Sequence, residues 1–145
     1  MPTTFRATVE HVHHTTSKVA VRTHTMLVDR GVAKGGFDLG PAGGEYMLVA
    51  LGGCFTSHLL AAIRAREADV TGVKVDVTGT LDGSPEQFTS FTLDVTAQCP
   101  DADLARKLVT IAGRACQVVN TLRNTADVTI KCNGALVDLE AAAAA

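Results

Sequence analysis

The chain has no tryptophan, one tyrosine and five phenylalanines, so aromatic residues make up only 4% of it and aliphatic packing must carry the interior. It also lacks an excess of either charge, with 13 Lys and Arg against 15 Asp and Glu and no basic block. The electrostatic footprint of a nucleic-acid binder is missing, and nucleic acid is not an expected partner. The N-terminus, Met1-Pro2-Thr3-Thr4-Phe5-Arg6, has no apolar stretch of signal-peptide length, which predicts a cytoplasmic protein whose thiols stay reduced. The four cysteines, at 54, 99, 116 and 132, contain no C-x-x-C, which excludes zinc-ribbon and thioredoxin-type motifs. Separate thiols remain, some chemical and some merely packed.

What is present is enough apolar material, 46% of 145 residues, to fold one domain. We place that domain at residues 1–138. Residues 139–145, Leu139-Glu140 followed by five alanines, read as an appended tail or cloning scar. Two β-rich stretches, Thr3 to His11 and Lys18 to Val28, are joined by the polar run His13 to Ser17 and predict an N-terminal hairpin. Residues 29–44 hold six glycines and Pro41, the composition of a loop.

The segment from Glu45 to Ile63 is apolar nearly all round, which suits a helix in the middle of a core. Its stretch from Tyr46 to Ile63 is at the short limit for a bilayer and is interrupted by Gly52, Gly53, Thr56, Ser57 and His58, so no membrane is expected. Strands at Val73–Leu81 and Phe88–Thr96 flank the turn chemistry of Asp82-Gly83-Ser84-Pro85. Asp101 can cap a second helix, whose apolar period runs from Leu104 to Leu122, and Asp127–Asn133 is a further strand candidate. The order ββ-α-ββ-α-β predicts an α+β fold. One small sheet cannot cover a helix with no polar face, so the pattern also predicts a homodimer.

Among residues able to do chemistry, Cys54 follows the pair Gly52-Gly53. Paired glycines mark a break or a close backbone approach, and a break would set Cys54 in the first turn of a new helical segment, where the dipole favours a thiolate. Glu45 suits a helix N-terminus after Pro41. In an unbroken helix its nine steps of about 100° from Cys54 place the two on opposite faces, roughly 13.5 Å apart along the axis. They share a site only if the helix bends or a partner subunit supplies one of them. Cys116 is the candidate partner thiol, because a sulfenic acid met by a second thiol becomes a recyclable disulfide. Cys99 and Cys132 rank behind it. His11, His13 and His14 have no matching acidic or cysteine ligand motif, so no metal is expected. His58, one turn after Cys54, can polarise the thiol or serve as a hydrogen-bonded core histidine.

The run Gly35-Gly36-Phe-Asp-Leu-Gly40-Pro41-Ala-Gly-Gly-Glu45-Tyr-Met-Leu-Val-Ala-Leu-Gly-Gly-Cys54-Phe-Thr-Ser resembles the loop and central helix of OsmC/Ohr proteins, and Ala115-Cys116-Gln-Val-Val-Asn-Thr-Leu122 resembles their second cysteine motif. The resemblance implies an OsmC-like fold, two central helices packed between antiparallel β-sheets of an intertwined homodimer. It further implies a thiol peroxidase with Cys54 peroxidatic, Cys116 resolving and Glu45 orienting an arginine over the thiolate.

At two positions the chain departs from that pattern. Gln117 stands where the family often has proline, and the hairpin and loop positions of the family's arginine offer His13, His14 or nothing, leaving Arg22 and Arg30 as substitutes. We favour Arg30, because a loop can fold back toward the site. Organic hydroperoxides are the expected substrates, favoured by Leu51, Phe55 and Leu59 beside Cys54. No bound cofactor is expected; an external dithiol, dihydrolipoyl-type or a small thiol, is the implied reductant. The alternative is an OsmC-like dimeric redox-sensing or small-molecule-binding protein.

Overall fold

The computed structural model describes residues 1–124 and the backbone of residues 131, 132, 135 and 136. Its elements run β1 (Thr8–His13), β2 (Thr16–Val21), β3 (His24–Val28), α1 (Gly43–Ala65), β4 (Thr71–Asp82), β5 (Gln87–Gln98), α2 (Ala102–Ala115), α3 (Gln117–Arg123), β6 (Lys131–Cys132) and β7 (Ala135–Leu136). Every strand pairing is antiparallel, so the fold is α+β as the element order predicts. Of the strand expected at 127–133, the backbone of Lys131–Cys132 pairs with Ala135–Leu136. The rest of that strand, the boundary at 138 and the tail at 139–145 lie outside the described residues.

The N-terminal region is a three-stranded meander with β2 in the middle, not a two-stranded hairpin. The expected second strand folds back on itself at Arg22 and Thr23, where Arg22 takes a left-handed φ of 54°. Neither residue is a turn former, which is why alternation alone ran straight through them. Val19 then faces Val9 on one side and Met26 on the other.

Beyond β3 the glycine-rich loop is organised by Asp29, a buried carboxylate with 2% exposure. Its oxygens accept hydrogen bonds from the Thr15 and Thr16 hydroxyls at 2.6 and 3.0 Å. They also accept from the backbone N–H groups of Arg30, Phe37 and Leu39 at 2.7, 3.3 and 3.2 Å. The Thr15 hydroxyl above all holds the Asp29 carboxyl well below its ordinary pKa of 3.8, against the opposing effect of burial. A carboxyl whose folded pKa is depressed stabilises the fold above its unfolded value, and that contribution is lost as the pH falls through the folded one. Thermal melts are therefore expected to drop on acidification below about pH 4 for the native chain. Asp29→Asn should melt lower at neutral pH and show a flatter acid limb; equal limbs for the two proteins would exclude Asp29 as their source.

In the remainder of the chain, β4 and β5 form a long hairpin whose residues alternate between half-buried and exposed. Val73, Val75, Val77, Leu93 and Val95 lie on the half-buried face, and period two is what a one-sided sheet requires. Helix α1 lies against β4 and α2 and buries Leu51, Gly52, Phe55, Leu59 and Ala62. Phe55, Leu59, Ala62, Leu108, Ala112 and Cys116 make the core between α1 and α2. Asp101 caps α2 by accepting from the N–H groups of Asp103 and Leu104 at 3.0 and 3.1 Å, as its position predicts.

The other face of α1 is bare. Val49 is 60% and Leu60 50% exposed, and between them Gly53, Ser57 and the half-buried Thr56 border an open groove of about 660 Å³ with Val75 and Val77 of β4. By length and composition α1 could cross a membrane, yet its buried face is already committed to β4 and α2.

Candidate active site

Helix α1 runs without interruption from Gly43 to Ala65, so the expected break at Gly52-Gly53 is absent and Cys54 sits in mid-helix, not in a first turn. The reason is packing. A Cβ on Gly52 would lie 2.8 Å from Val77 Cγ2, so glycine here lets the helix backbone settle onto β4. The dipole argument for a Cys54 thiolate falls with the break.

The continuous helix also decides the position of Glu45. Its side chain turns back to the start of α1, where Oε1 accepts from the backbone N–H of Ala42 at 2.9 Å. Exposed and about two and a half turns before Cys54, on the opposite face, it caps the helix within this chain.

The second cysteine is where the helical period misleads. The apolar spacing from Leu104 to Leu122 continues through Cys116, but the backbone there is extended, with φ −73° and ψ 114°, and divides α2 from α3. Its N–H closes α2 by donating to Ala112 O at 3.0 Å, and its carbonyl opens α3 by accepting from Asn120 N at 3.0 Å. Its Sγ accepts from Val119 N at 3.5 Å, capping α3. Gly113 in the last turn of α2 remains helical, and at the junction itself there is no glycine or proline, only the cysteine whose side chain caps α3.

The kink turns the Cys116 side chain into the core against α1, with no accessible surface, while Cys54 packs on the same cluster but stays half-exposed. Burial pushes the Cys116 thiol above its ordinary pKa, the Val119 N–H opposes this, and the adjoining Cys54 thiol raises it further through hydrogen bonding and charge. Both thiols are free.

The same junction brings in Gln117, the first residue of α3. Its Oε1 accepts from Cys54 Sγ at 3.2 Å and lies 2.8 Å from His58 Nε2. Cys54 and His58 are one turn apart on α1, so a single oxygen bridges two side chains of one helix face. Sequence reasoning noted Gln117 only as a departure from a family pattern; its contact follows from a kink that the sequence does not signal.

The arginines expected to serve Cys54 make no hydrogen bond to it within the described chain. Arg30 is exposed in the loop, its backbone tied to Asp29 and Asp38, and Arg22 forms the β2–β3 turn. Among the described residues, Cys54 is hydrogen-bonded to Gln117 and adjoins the Cys116 thiol, and neither arginine bonds to it. His13 and His14 stack edge to face at 5.4 Å, and His11 Nε2 bonds to His14 O at 2.9 Å. Among the described residues no cluster of His, Cys, Asp or Glu is arranged to hold a metal.

Cys99 is set apart, its thiol donating to Asp101 O at 3.2 Å, and the Cys132 side chain lies outside the described residues. Phe55 and Leu59, expected beside a substrate, are buried core residues at 4% and 3% exposure. An apolar pocket of about 380 Å³ opens between α1, β5 and α3; neither cysteine lines it, and Val119 joins it to Cys116. Leu51, Phe88, Phe91, Val119 and Leu122 line the pocket, with Arg123 as its cation.

Fold and site together define an α+β protein built around two adjoining thiols, one on a long central helix and one at a helix junction. The chain belongs to the OsmC-like protein family, whose model matches residues 35–131. No curated protein sequence matches it. Among solved structures, the OsmC-like protein from Mycoplasma pneumoniae superimposes with a TM-score of 0.76 at 14% identity, covering 86% of this chain and 91% of that one. An organic hydroperoxide resistance protein from Elizabethkingia anophelis gives 0.67 at 17% identity, with 86% and 91% covered. The organic hydroperoxide resistance protein OsmC from Legionella pneumophila gives 0.60 at 19% identity, with 84% and 90% covered. At these identities the likeness is one of fold.

Proposed function

We propose that the protein is a cysteine-based peroxidase that reduces organic hydroperoxides, with Cys54 as nucleophile and Cys116 as resolving thiol. The observation that carries this reading is the half-exposed Cys54 against a fully buried Cys116, with no bond yet between them. In the first step the Cys54 sulfur forms an S–O bond as the O–O bond of the hydroperoxide breaks, and the alkoxide leaves as alcohol with one proton. Cys116 then attacks the sulfenic acid, the S–S bond forms and water leaves. An external dithiol of dihydrolipoyl type returns both thiols, so the cycle needs no bound cofactor. The pocket of Leu51, Phe88 and Phe91 takes the alkyl group of the substrate.

One equivalent of cumene hydroperoxide is expected to remove the Cys54 and Cys116 thiols together within seconds, leaving a single disulfide-linked peptide pair in the mass spectrum. Loss of Cys99 first, or no loss at all, would count against the assignment and favour a sensing or binding role.

The working unit in this proposal is a homodimer in the cytoplasm. The bare face of α1, with Val49 and Leu60 exposed beside the groove, is the surface a second copy covers. The same association brings the partner's polypeptide to each site, and through it a route for Glu45 or Arg30 to act on Cys54. Sedimentation equilibrium should return twice the 15.1 kDa chain mass; a monomer at micromolar concentration would remove both the cover and that route.

A further inference from the structure

We propose that Gln117 is a positioning residue for Cys54, its amide turning over between the thiol and the thiolate so that the sulfur always faces a matching group. The inference deepens the reading above and rests on the one part of it that concerns Cys54 alone, that this sulfur reacts as a thiolate. Its starting point is that one atom, Gln117 Oε1, meets both Cys54 Sγ at 3.2 Å and His58 Nε2 at 2.8 Å.

In this arrangement the oxygen accepts from the Cys54 S–H and from an N–H on His58 Nε2. It serves the thiol only. A thiolate has no proton to give and would be set against the lone pairs of the carbonyl oxygen. The terminal torsion of glutamine is broad and close to two-fold, so a half-turn puts the amide nitrogen where the oxygen was, with no movement of α1 or α3.

The amide group carries two N–H donors, one for the sulfur and one for His58 Nε2, once that nitrogen is the unprotonated one of the neutral ring. Because both partners share a single atom, they change roles together. The thiol proton leaves to solvent past the half-exposed Cys54, and the imidazole proton passes from Nε2 to Nδ1 by exchange with water, so the ring charge is unchanged.

The two orientations are not of equal strength. An N–H donated to a thiolate is charge-assisted, whereas S–H is a weak donor to a carbonyl oxygen. The net effect of Gln117 is therefore to favour the thiolate. Among the described residues neither Arg22 nor Arg30 makes a hydrogen bond to Cys54, so the Gln117 amide, held by His58, and the Cys116 thiol are the polar groups that face the sulfur.

The test is the rate of iodoacetamide alkylation at Cys54, resolved by peptide mass spectrometry on the full chain across roughly pH 5–9. Gln117 is exposed, so its variants should fold, and thermal melts check this. Q117M, which keeps length and loses both polar groups, is expected to alkylate about tenfold more slowly at pH 7, its profile displaced to higher pH by about one unit. Q117E accepts but cannot donate and should be slower still. H58F frees the amide without removing it and should lose less than Q117M.

A Q117M profile that overlays the native one overturns the proposal. So does a Q117E protein as fast as the native chain, and so does a larger loss in H58F, which would place the effect on the imidazole. No peroxide enters the measurement, which separates the two readings. Variants that separate as stated in a chain that consumes no hydroperoxide would end the peroxidase reading and keep this one; overlaid profiles in an active enzyme would do the reverse.

Discussion

Replacing Cys54 with serine is expected to reduce consumption of an alkyl hydroperoxide, supplied with a dithiol, to the rate of buffer alone, a loss of several orders of magnitude. The substitution exchanges one atom. A serine hydroxyl can still donate to Gln117 Oε1, and the half-exposed position in mid-α1 asks little of its occupant, so fold and melting temperature should hold. What disappears is the nucleophile, because a hydroxyl is not appreciably ionised near neutral pH and lacks the polarisable sulfur that attacks an O–O bond.

The neighbouring variants sharpen the reading. Cys116→Ser should take up the first equivalent of hydroperoxide and then stall, with a sulfenic or more oxidised Cys54 in the mass spectrum. Cys99→Ser should turn over normally, since that thiol is engaged with Asp101 O away from the site. Full activity in Cys54→Ser would sink the proposed mechanism.

The parts of this site that were legible in the sequence are those fixed by local pattern. The long apolar run marks α1, alternation marks β4 and β5, and Asp101 after Pro100 marks the start of α2. The lack of a polar face on α1 was legible too, and Val49 and Leu60 are exposed there; the homodimer drawn from it is part of the proposal above.

What was misread depended on contacts distant in sequence. Gly52 reads as a helix break, because glycine is a poor helix former, until β4 is in place and Val77 shows what the missing Cβ makes room for. The division of α2 from α3 is invisible because the apolar period continues through it; only the side chain of Cys116, capping α3, reveals why the chain turns. Gln117 and His58 are 59 positions apart, and their pairing is a product of that turn. Asp29 carried no signal at all, since its five donors come from a hairpin turn and a glycine-rich loop that meet only after folding. Glu45 is different: the sequence placed it at a helix N-terminus, where it caps α1, and the role over the thiolate that the resemblance implies needs a second chain.

The core beneath the thiols yields the second large effect. Leu108 is 1% exposed and packs with Phe55 and Leu59 of α1, and Ala112 and Cys116 follow it at four-residue intervals on the same side of α2 and its end. Leu108→Ala removes buried methyl groups and leaves a cavity that two helices cannot close, at about 2–5 kcal/mol. Total stability for a chain of this size is on the order of 5–15 kcal/mol, so the melting temperature should fall by roughly 10 °C. Leu108→Met, which conserves volume, should cost less than about 1.5 kcal/mol. The chemistry should follow the packing. Cys116 reaches Cys54 only because α2 is seated against α1, so at a temperature where Leu108→Ala is still folded its disulfide should form more slowly after sulfenic acid appears, with the first oxidation of Cys54 unchanged. Equal resolution rates in Leu108→Ala and Leu108→Met would mean that the sulfurs are held together by something other than this helix pair.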